Sequence, residues 1–353
     1  MAKTAVFIVG TRAQLIKIAP VVIACERRRI NCVLLMTGQH RETMQDLIAE
    51  FGIASPQAAA VEASEHSTVL SLLRWLPAAY RGVRKHLGAI AAADSVDVLV
   101  HGDTLSTLVG AFAAKRSGTR VIHLESGLTS GRLLDPFPEE LCRRLVFRMT
   151  DVAMCPNREA VTYMQRVSGR HTIVVDTGGN TILDAVALTG AFHAIHRRGN
   201  YVVASLHRFQ NIYDQVRLQQ LARTIEEVSQ SLDVHFVLHP ATKKRLESTG
   251  LLARLHKNPR IRLLPRMGYK DFLLLAAGAE CVLTDGGSNQ EELAALGVPT
   301  IVMRARTERP DGLGGNALME ADVQGGLEAF IASRRFEDLR SARSATKAAK
   351  AAG

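Results

Sequence analysis

Short apolar runs alternate along this chain with longer segments whose apolar residues recur at helical spacing. The runs predict strands over 4–10, 32–36, 96–100, 120–124 and 151–155. Helical patterns fall after Gly10, over 66–93 and over 157–167, with Trp75 read as a core residue rather than a ligand platform. The segment Thr177-Gly178-Gly179-Asn180-Thr181 is turn chemistry and suits a linker. After it the alternation restarts, with strands over 201–206, 234–238, 261–264, 281–284 and 300–303 and helices over 214–231 and from Gln290. Such alternation predicts an α/β protein with parallel, doubly wound sheets. Two Rossmann-like halves are expected, residues 1–178 and 179–330, with an inter-domain cleft and a basic, helical or frayed tail over 331–353.

Composition narrows this picture little. Of 353 residues, 47% are hydrophobic and 22% charged, ordinary proportions for a globular chain with a sizeable core. No run approaches the roughly 18 apolar residues of a membrane span, so no stable membrane insertion is expected. The opening MAKTAVFIVG reads as a first strand rather than a secretory signal. Five cysteines without a C-x-x-C pair suit idle thiols in a reducing cytoplasm. The net charge of +10 raises the question of nucleic acid. Four of those charges are local to 334–350, aromatics are 5%, and no nucleic-acid module is present, so no nucleic-acid partner is expected. A small polyanionic substrate accounts for the charge as well.

The candidate chemistry centres on residues 101–140. One predicted strand ends at His101-Gly102-Asp103-Thr104, the next at Glu125, and Pro138-Glu139-Glu140 reads as a helix start. Ligands of open α/β sheets sit beyond the carboxyl ends of strands, so Asp103, Glu125 and Glu139 are candidates for proton transfer. Singly, each is more often a cap or a salt-bridged surface acid. Neighbouring helix residues point different ways, which marks Glu140 as the structural member of its pair. Gly10-Thr11-Arg12 offers backbone amides and a guanidinium at a helix start, a natural anion site. Asp285-Gly286-Gly287-Ser288 does the same between a strand and a helix, with a plain glycine turn as the alternative. His207, after a strand and beside Arg208, suits a phosphate or proton-transfer role. No Cys/His cluster or H-E-x-x-H pattern points to a metal.

Ordered motifs run through most of the chain: GTRAQLIKIAPV (10–21), TGQHRETM (37–44), HGDTLSTL (101–108), HLESGL (123–128), PFPEE (136–140), GNT (179–181), HRFQN (207–211), TDGGSNQEE (284–292), GVP (297–299) and TERP (307–310). Together they resemble the UDP-N-acetylglucosamine 2-epimerase family, of the non-hydrolysing type. The resemblance implies a GT-B-like fold that binds a UDP-sugar substrate and needs no cofactor. It makes Asp103, Glu125, Glu139 and His207 the catalytic set. It assigns Arg12, Lys17, Arg143, His239, Gly286, Gly287, Ser288, Glu292 and Arg309 to substrate binding, with no metal. Gln39, His40, Arg208 and His239 fall where some members hold a second, activating UDP-GlcNAc, and a homodimer is implied.

The implied reaction interconverts UDP-GlcNAc and UDP-ManNAc through UDP elimination, a 2-acetamidoglucal and re-addition. This chain also departs from the family pattern. Ala13-Gln14 replaces Pro-Glu, Gln210 replaces an acid, Asp285-Gly286-Gly287-Ser288 replaces Asp-Ser-Gly-Gly, Cys142 replaces Asn and Thr129 replaces Arg. The usual C-terminal Asn-Pro-Tyr-Gly does not occur. These changes mark a divergent member and leave alternatives open. One is a hydrolysing 2-epimerase releasing ManNAc and UDP, another a GT-B glycosyltransferase with a UDP-HexNAc donor, and a third a UDP-sugar sensor.

Overall fold

The computed structural model describes residues 3–39, 44–61, 69–132, 137–193, 199–305, 307 and 311–340. The chain divides between Ala185 and Val186, so the 177–181 turn belongs to the first unit. That unit is built on seven parallel strands: β1 (Lys3–Val9), β2 (Asn31–Met36), β3 (Gln57–Ala59), β4 (Ser95–His101), β5 (Arg120–Leu124), β6 (Val152–Cys155) and β7 (Ile173–Asp176). Their spatial order, β3-β2-β1-β4-β5-β6-β7, reverses direction between β1 and β4. The reversal opens a crevice at the carboxyl ends of those strands. β1 and β4 are buried on both faces after their first residue, which is why they read as mostly apolar runs, with Asp97 of β4 paired to Lys3 and Arg120.

Local signals locate the helices that follow. Thr11 caps the helix Arg12–Arg27 in a capping box with Gln14. Thr104 caps Leu105–Arg116 and Asn157 caps Arg158–Val167. A single helix, Val69–Ala91, covers much of the stretch read as one or two, and Trp75 is buried in it with Nε1 donating to the Thr37 carbonyl at 2.9 Å. Gly10 is required where it stands. A Cβ there would lie 1.9 Å from Ser106 Oγ, because the β1 turn and the start of Leu105–Arg116 touch.

The second unit repeats the plan with β8 (Tyr201–Ser205), β9 (Asp233–Val237), β10 (Ile261–Leu264), β11 (Cys281–Thr284), β12 (Thr300–Val302) and β13 (Ala317–Met319). Its parallel order is β10-β9-β8-β11-β12-β13, with the reversal between β8 and β11. The two-unit, Rossmann-like, GT-B-like architecture expected from the sequence is the one observed. The helix expected from Gln290 begins three residues earlier, as Gly287–Leu296 with Gly286 as its cap, so the glycines belong to the helix start. Short edge strands β3, β7 and β13 carry no clear apolar alternation and were not expected. Within the segment expected as a tail, Ile331 and Phe336 are buried in the core of the second unit beside Phe330. Residues 341–353 lie outside the described residues.

Candidate functional site

In the first unit, the reversal between β1 and β4 gathers a buried polar knot around Gln14. Its Oε1 accepts the N–H groups of Gly10 (2.9 Å) and Thr11 (3.2 Å). Its Nε2 donates to the His101 carbonyl at 2.8 Å and to Thr104 Oγ1 and Thr107 Oγ1 at 2.9 Å. An ionised glutamate here has no hydrogen to give the His101 carbonyl, whereas an amide supplies both functions. The departure from the family's Glu therefore comes with a fully satisfied amide that ties the β1 turn to the β4 turn.

Beyond β5, Glu125 adopts a left-handed backbone with φ 59°, a conformation uncommon outside glycine. Its carboxylate is held from several sides. Lys17 Nζ lies 2.5 Å from Oε1, Asn180 Nδ2 donates to the same oxygen, and His101 Nδ1 stands 3.8 Å from Oε2. The Lys17 and Glu125 side chains are only 5% and 10% exposed, so this is a buried ion pair. Lys17, assigned to substrate by the family pattern, is thus directed at Glu125. The neighbouring His123 is buried with Nε2 2.8 Å from the Gly102 carbonyl, and burial pushes its pKa down to about 4. It is a neutral imidazole at pH 7.

Asp103 pairs with Arg143 from the helix Glu139–Met149. Arg143 also reaches Glu140 at 3.2 Å, and Arg144 Nε donates to Glu140 at 2.9 Å. Burial alone would raise the Glu140 pKa. Thr129 Oγ1 (2.5 Å), Arg144, the Ser130 N–H and Arg143 outweigh it and hold the carboxyl below its usual range. Glu140 is therefore the anchor of the 126–132 loop, as its place beside Glu139 suggested. Glu139 is half-buried, and its carboxylate makes no hydrogen bond or ion pair among the described residues. The thiol of Cys142 is buried, and burial, then the charges of Asp103 and Glu139, push its pKa up to about 11. Asp103 and Glu139 are thus both near enough for their charges to act on Cys142, which stands where the family pattern has Asn.

A cavity of about 280 Å³ adjoins Glu125, with Asn180 and Asp184 in its wall. Asp184 is buried with no hydrogen-bond partner on either oxygen, and burial raises it to about 7. Arg12, expected at the phosphate, pairs with Asp46 at 2.6 Å in this structure. Gln39 Oε1 accepts the Ser106 N–H and Oγ at 3.2 and 2.5 Å. His40 lies outside the described residues.

The second unit carries its own cluster at the β8–β11 reversal. His207 follows β8, and its ring packs on that of His239 with centroids 5.5 Å apart. Both line a 130 Å³ pocket with Arg266, Phe272 and Asn289. Gly286, Gly287 and Ser288 stand at the start of Gly287–Leu296, whose free N–H groups favour an anion. Glu292 is buried one turn on. Gln290 joins this helix to the β12 end: its Oε1 accepts Thr307 Oγ1 at 3.0 Å, its Nε2 donates to the Asp311 carbonyl at 2.6 Å, and Arg304 reaches Thr307. Arg309 lies outside the described residues. Asn180, Gln14 and Asp285 were not singled out as site residues; the only sequence signal for them was their position inside motifs. Among the described residues no cluster of His, Cys, Asp and Glu could hold a metal ion.

A family model described as UDP-N-acetylglucosamine 2-epimerase matches residues 23–333. The UDP-N-acetylglucosamine 2-epimerase of Methanocaldococcus jannaschii is 30% identical over 321 residues, covering 86% of this chain and 84% of that protein. A Pseudomonas aeruginosa UDP-2,3-diacetamido-2,3-dideoxy-D-glucuronate 2-epimerase is 28% identical, over 85% of this chain and 83% of its own length. In fold, the chain is similar to the solved structure of the Methanocaldococcus jannaschii UDP-GlcNAc 2-epimerase. The TM-score is 0.76 at 24% identity, over 99% of this chain and 98% of that one.

Proposed function

This chain belongs to the UDP-N-acetylglucosamine 2-epimerase family, and from that premise we propose that it is an isomerase interconverting UDP-GlcNAc and UDP-ManNAc without net hydrolysis. The observation that carries the reading is the carboxylate set of the first unit, two members tethered and one unencumbered. Glu139 is unpartnered, so it is available to take or give a proton at C2. Asp103, oriented by Arg143, serves the opposite face. Inversion needs a proton acceptor on one face and a donor on the other. Glu125, clamped by Lys17 and Asn180, positions rather than transfers.

In the forward direction one carboxylate takes the C2 proton while the C1–O bond breaks and its electron pair leaves with UDP. The 2-acetamidoglucal then receives a proton on the other face of C2, and a phosphate oxygen of UDP re-forms the bond to C1. Cationic groups and the N–H groups of Gly287 and Ser288 suit the charge on the departing diphosphate. His207, Arg12, Glu292 and Arg309 belong to this proposed set. A homodimer, a second UDP-GlcNAc on Arg208 and His239, and a cytoplasmic setting are proposed on the family pattern. No helix among the described residues is long and apolar enough to cross a membrane.

Proton NMR of the protein with UDP-GlcNAc in deuterated water tests the reading. UDP-ManNAc carrying deuterium at C2 is the expected product. Free ManNAc with UDP indicates the hydrolysing reaction instead. Unchanged, fully protonated substrate refutes both and turns attention to a transferase or to another UDP-HexNAc.

A further inference from the structure

Asp285 sits at the end of β11, fully buried, beside the end of β8 where the sheet order of the second unit reverses. Both of its oxygens lie 3.0 Å from the His207 N–H, and Oδ2 also accepts the Arg208 N–H at 2.9 Å and Asn211 Nδ2 at 2.8 Å. Oδ1 stands 3.3 Å from His207 Nδ1. The carboxylate is not free to turn away. Asn211 Nδ2 also donates to the Met303 carbonyl at 2.9 Å and its Oδ1 accepts Arg217 Nε at 3.2 Å, while Arg217 is paired with Glu320. Donors converge on Asp285 from three sides and leave its oxygens to accept, which favours a hydrogen on the ring atom facing it. The loop leaves room for that ring. A Cβ on Gly286 would lie 3.3 Å from His207 Cε1 and 2.5 Å from Asn289 Oδ1.

We infer that Asp285 is a positioning residue for His207, holding its neutral imidazole as the Nδ1–H tautomer and presenting a bare Nε2 on the ring's exposed side. Neither the composition of the loop nor the family pattern assigned this residue a part in the chemistry. Glu320, Arg217 and Asn211 form the relay that keeps the carboxylate aimed. That Nε2 meets the nucleotide-sugar rests on the function proposed above; the tautomer does not. Bare Nε2 accepts a hydrogen bond or a proton, and once protonated it donates to a phosphate oxygen with Asp285 balancing the ring charge, as carboxylate–histidine pairs do elsewhere.

Long-range nitrogen–proton NMR of the full chain, at a pH where the ring is neutral, reads the tautomer directly, with His207→Gln identifying the signals. The expected wild-type pattern is a protonated Nδ1 and a bare Nε2. In Asp285→Asn the pattern should revert to Nε2–H. The epimerase kcat should fall by on the order of 10²-fold, with KM for UDP-GlcNAc changing less than about threefold, since the loop amides still meet the substrate. A wild-type His207 found as Nε2–H overturns the inference, whether or not the variant folds. So does an unchanged tautomer in a folded Asp285→Asn. If the wild-type ring is Nδ1–H and no epimerisation occurs, the positioning role stands and the proposed reaction fails.

Discussion

Replacing Lys17 by Met keeps the length and the apolar stem of a side chain that is only 5% exposed and removes its charge. Glu125 is then left 10% exposed with Asn180 and the more distant His101 as partners. Breaking a buried pair by deleting one member costs about 3–5 kcal/mol, because the other charge stays buried. The surviving Asn180 contact places this case at the lower end, about 3 kcal/mol. The chain has a single tryptophan, Trp75, in the core of the first unit, so its fluorescence follows unfolding of that unit. With a urea dependence of about 2 kcal/mol per molar, the midpoint should fall by roughly 1.5 M. Glu125→Gln in the Lys17→Met background should recover at least about 1.5 kcal/mol, since a neutral amide no longer needs the cation. A midpoint shift below about 0.5 M, or a double variant whose loss is the sum of the two single losses, would refute the buried-pair reasoning and leave Lys17 free for substrate.

Glu139→Gln should lower kcat by about 10²- to 10⁴-fold while moving stability by less than about 0.5 kcal/mol, because this carboxylate holds nothing in place; steady-state kinetics beside urea titration separates the two. His123 is neutral when folded, with a pKa near 4 against 6.5 for the model group, so the unfolded chain gains a proton that the folded chain refuses as pH drops. Stability should decline between pH 6.5 and 4 by on the order of 3 kcal/mol from this residue, and His123→Asn should flatten that part of the pH profile. Asp184 behaves in the opposite sense: its folded pKa, raised to about 7, makes its contribution fall as pH rises from about 4 to 7. Asp184→Asn should therefore stabilise the protein more at pH 8 than at pH 5, by on the order of 2 kcal/mol; equal melting shifts at both values would contradict a buried acid.

Much of the fold was legible because strands inside a doubly wound sheet are rich in apolar residues, as β1, β2, β4, β5, β8 and β11 are. Their caps, Thr11, Thr104, Asn157 and Asp214, lie in the sequence at the places where helices must begin. The edge strands β3, β7 and β13 were not legible. Each has three or four residues and is strand only because a neighbour supplies its hydrogen bonds. Asp103, Glu125 and His207 were visible as residues that follow strands, and Glu139 as one at a helix start.

Their division of labour was not visible, because it depends on partners far away in the chain. Glu125 is a clamped group only by virtue of Lys17 and Asn180, respectively 108 and 55 residues distant. Asp285 faces His207 across 78 residues, and Gln14 ties His101 across 87. The linear order of apolar runs and turn residues determined the two sheets, their parallel strands and which side chains end them. Which of those side chains is charged, neutral, tethered or free was decided by tertiary structure, because burial and hydrogen bonding are set by whatever the fold brings alongside.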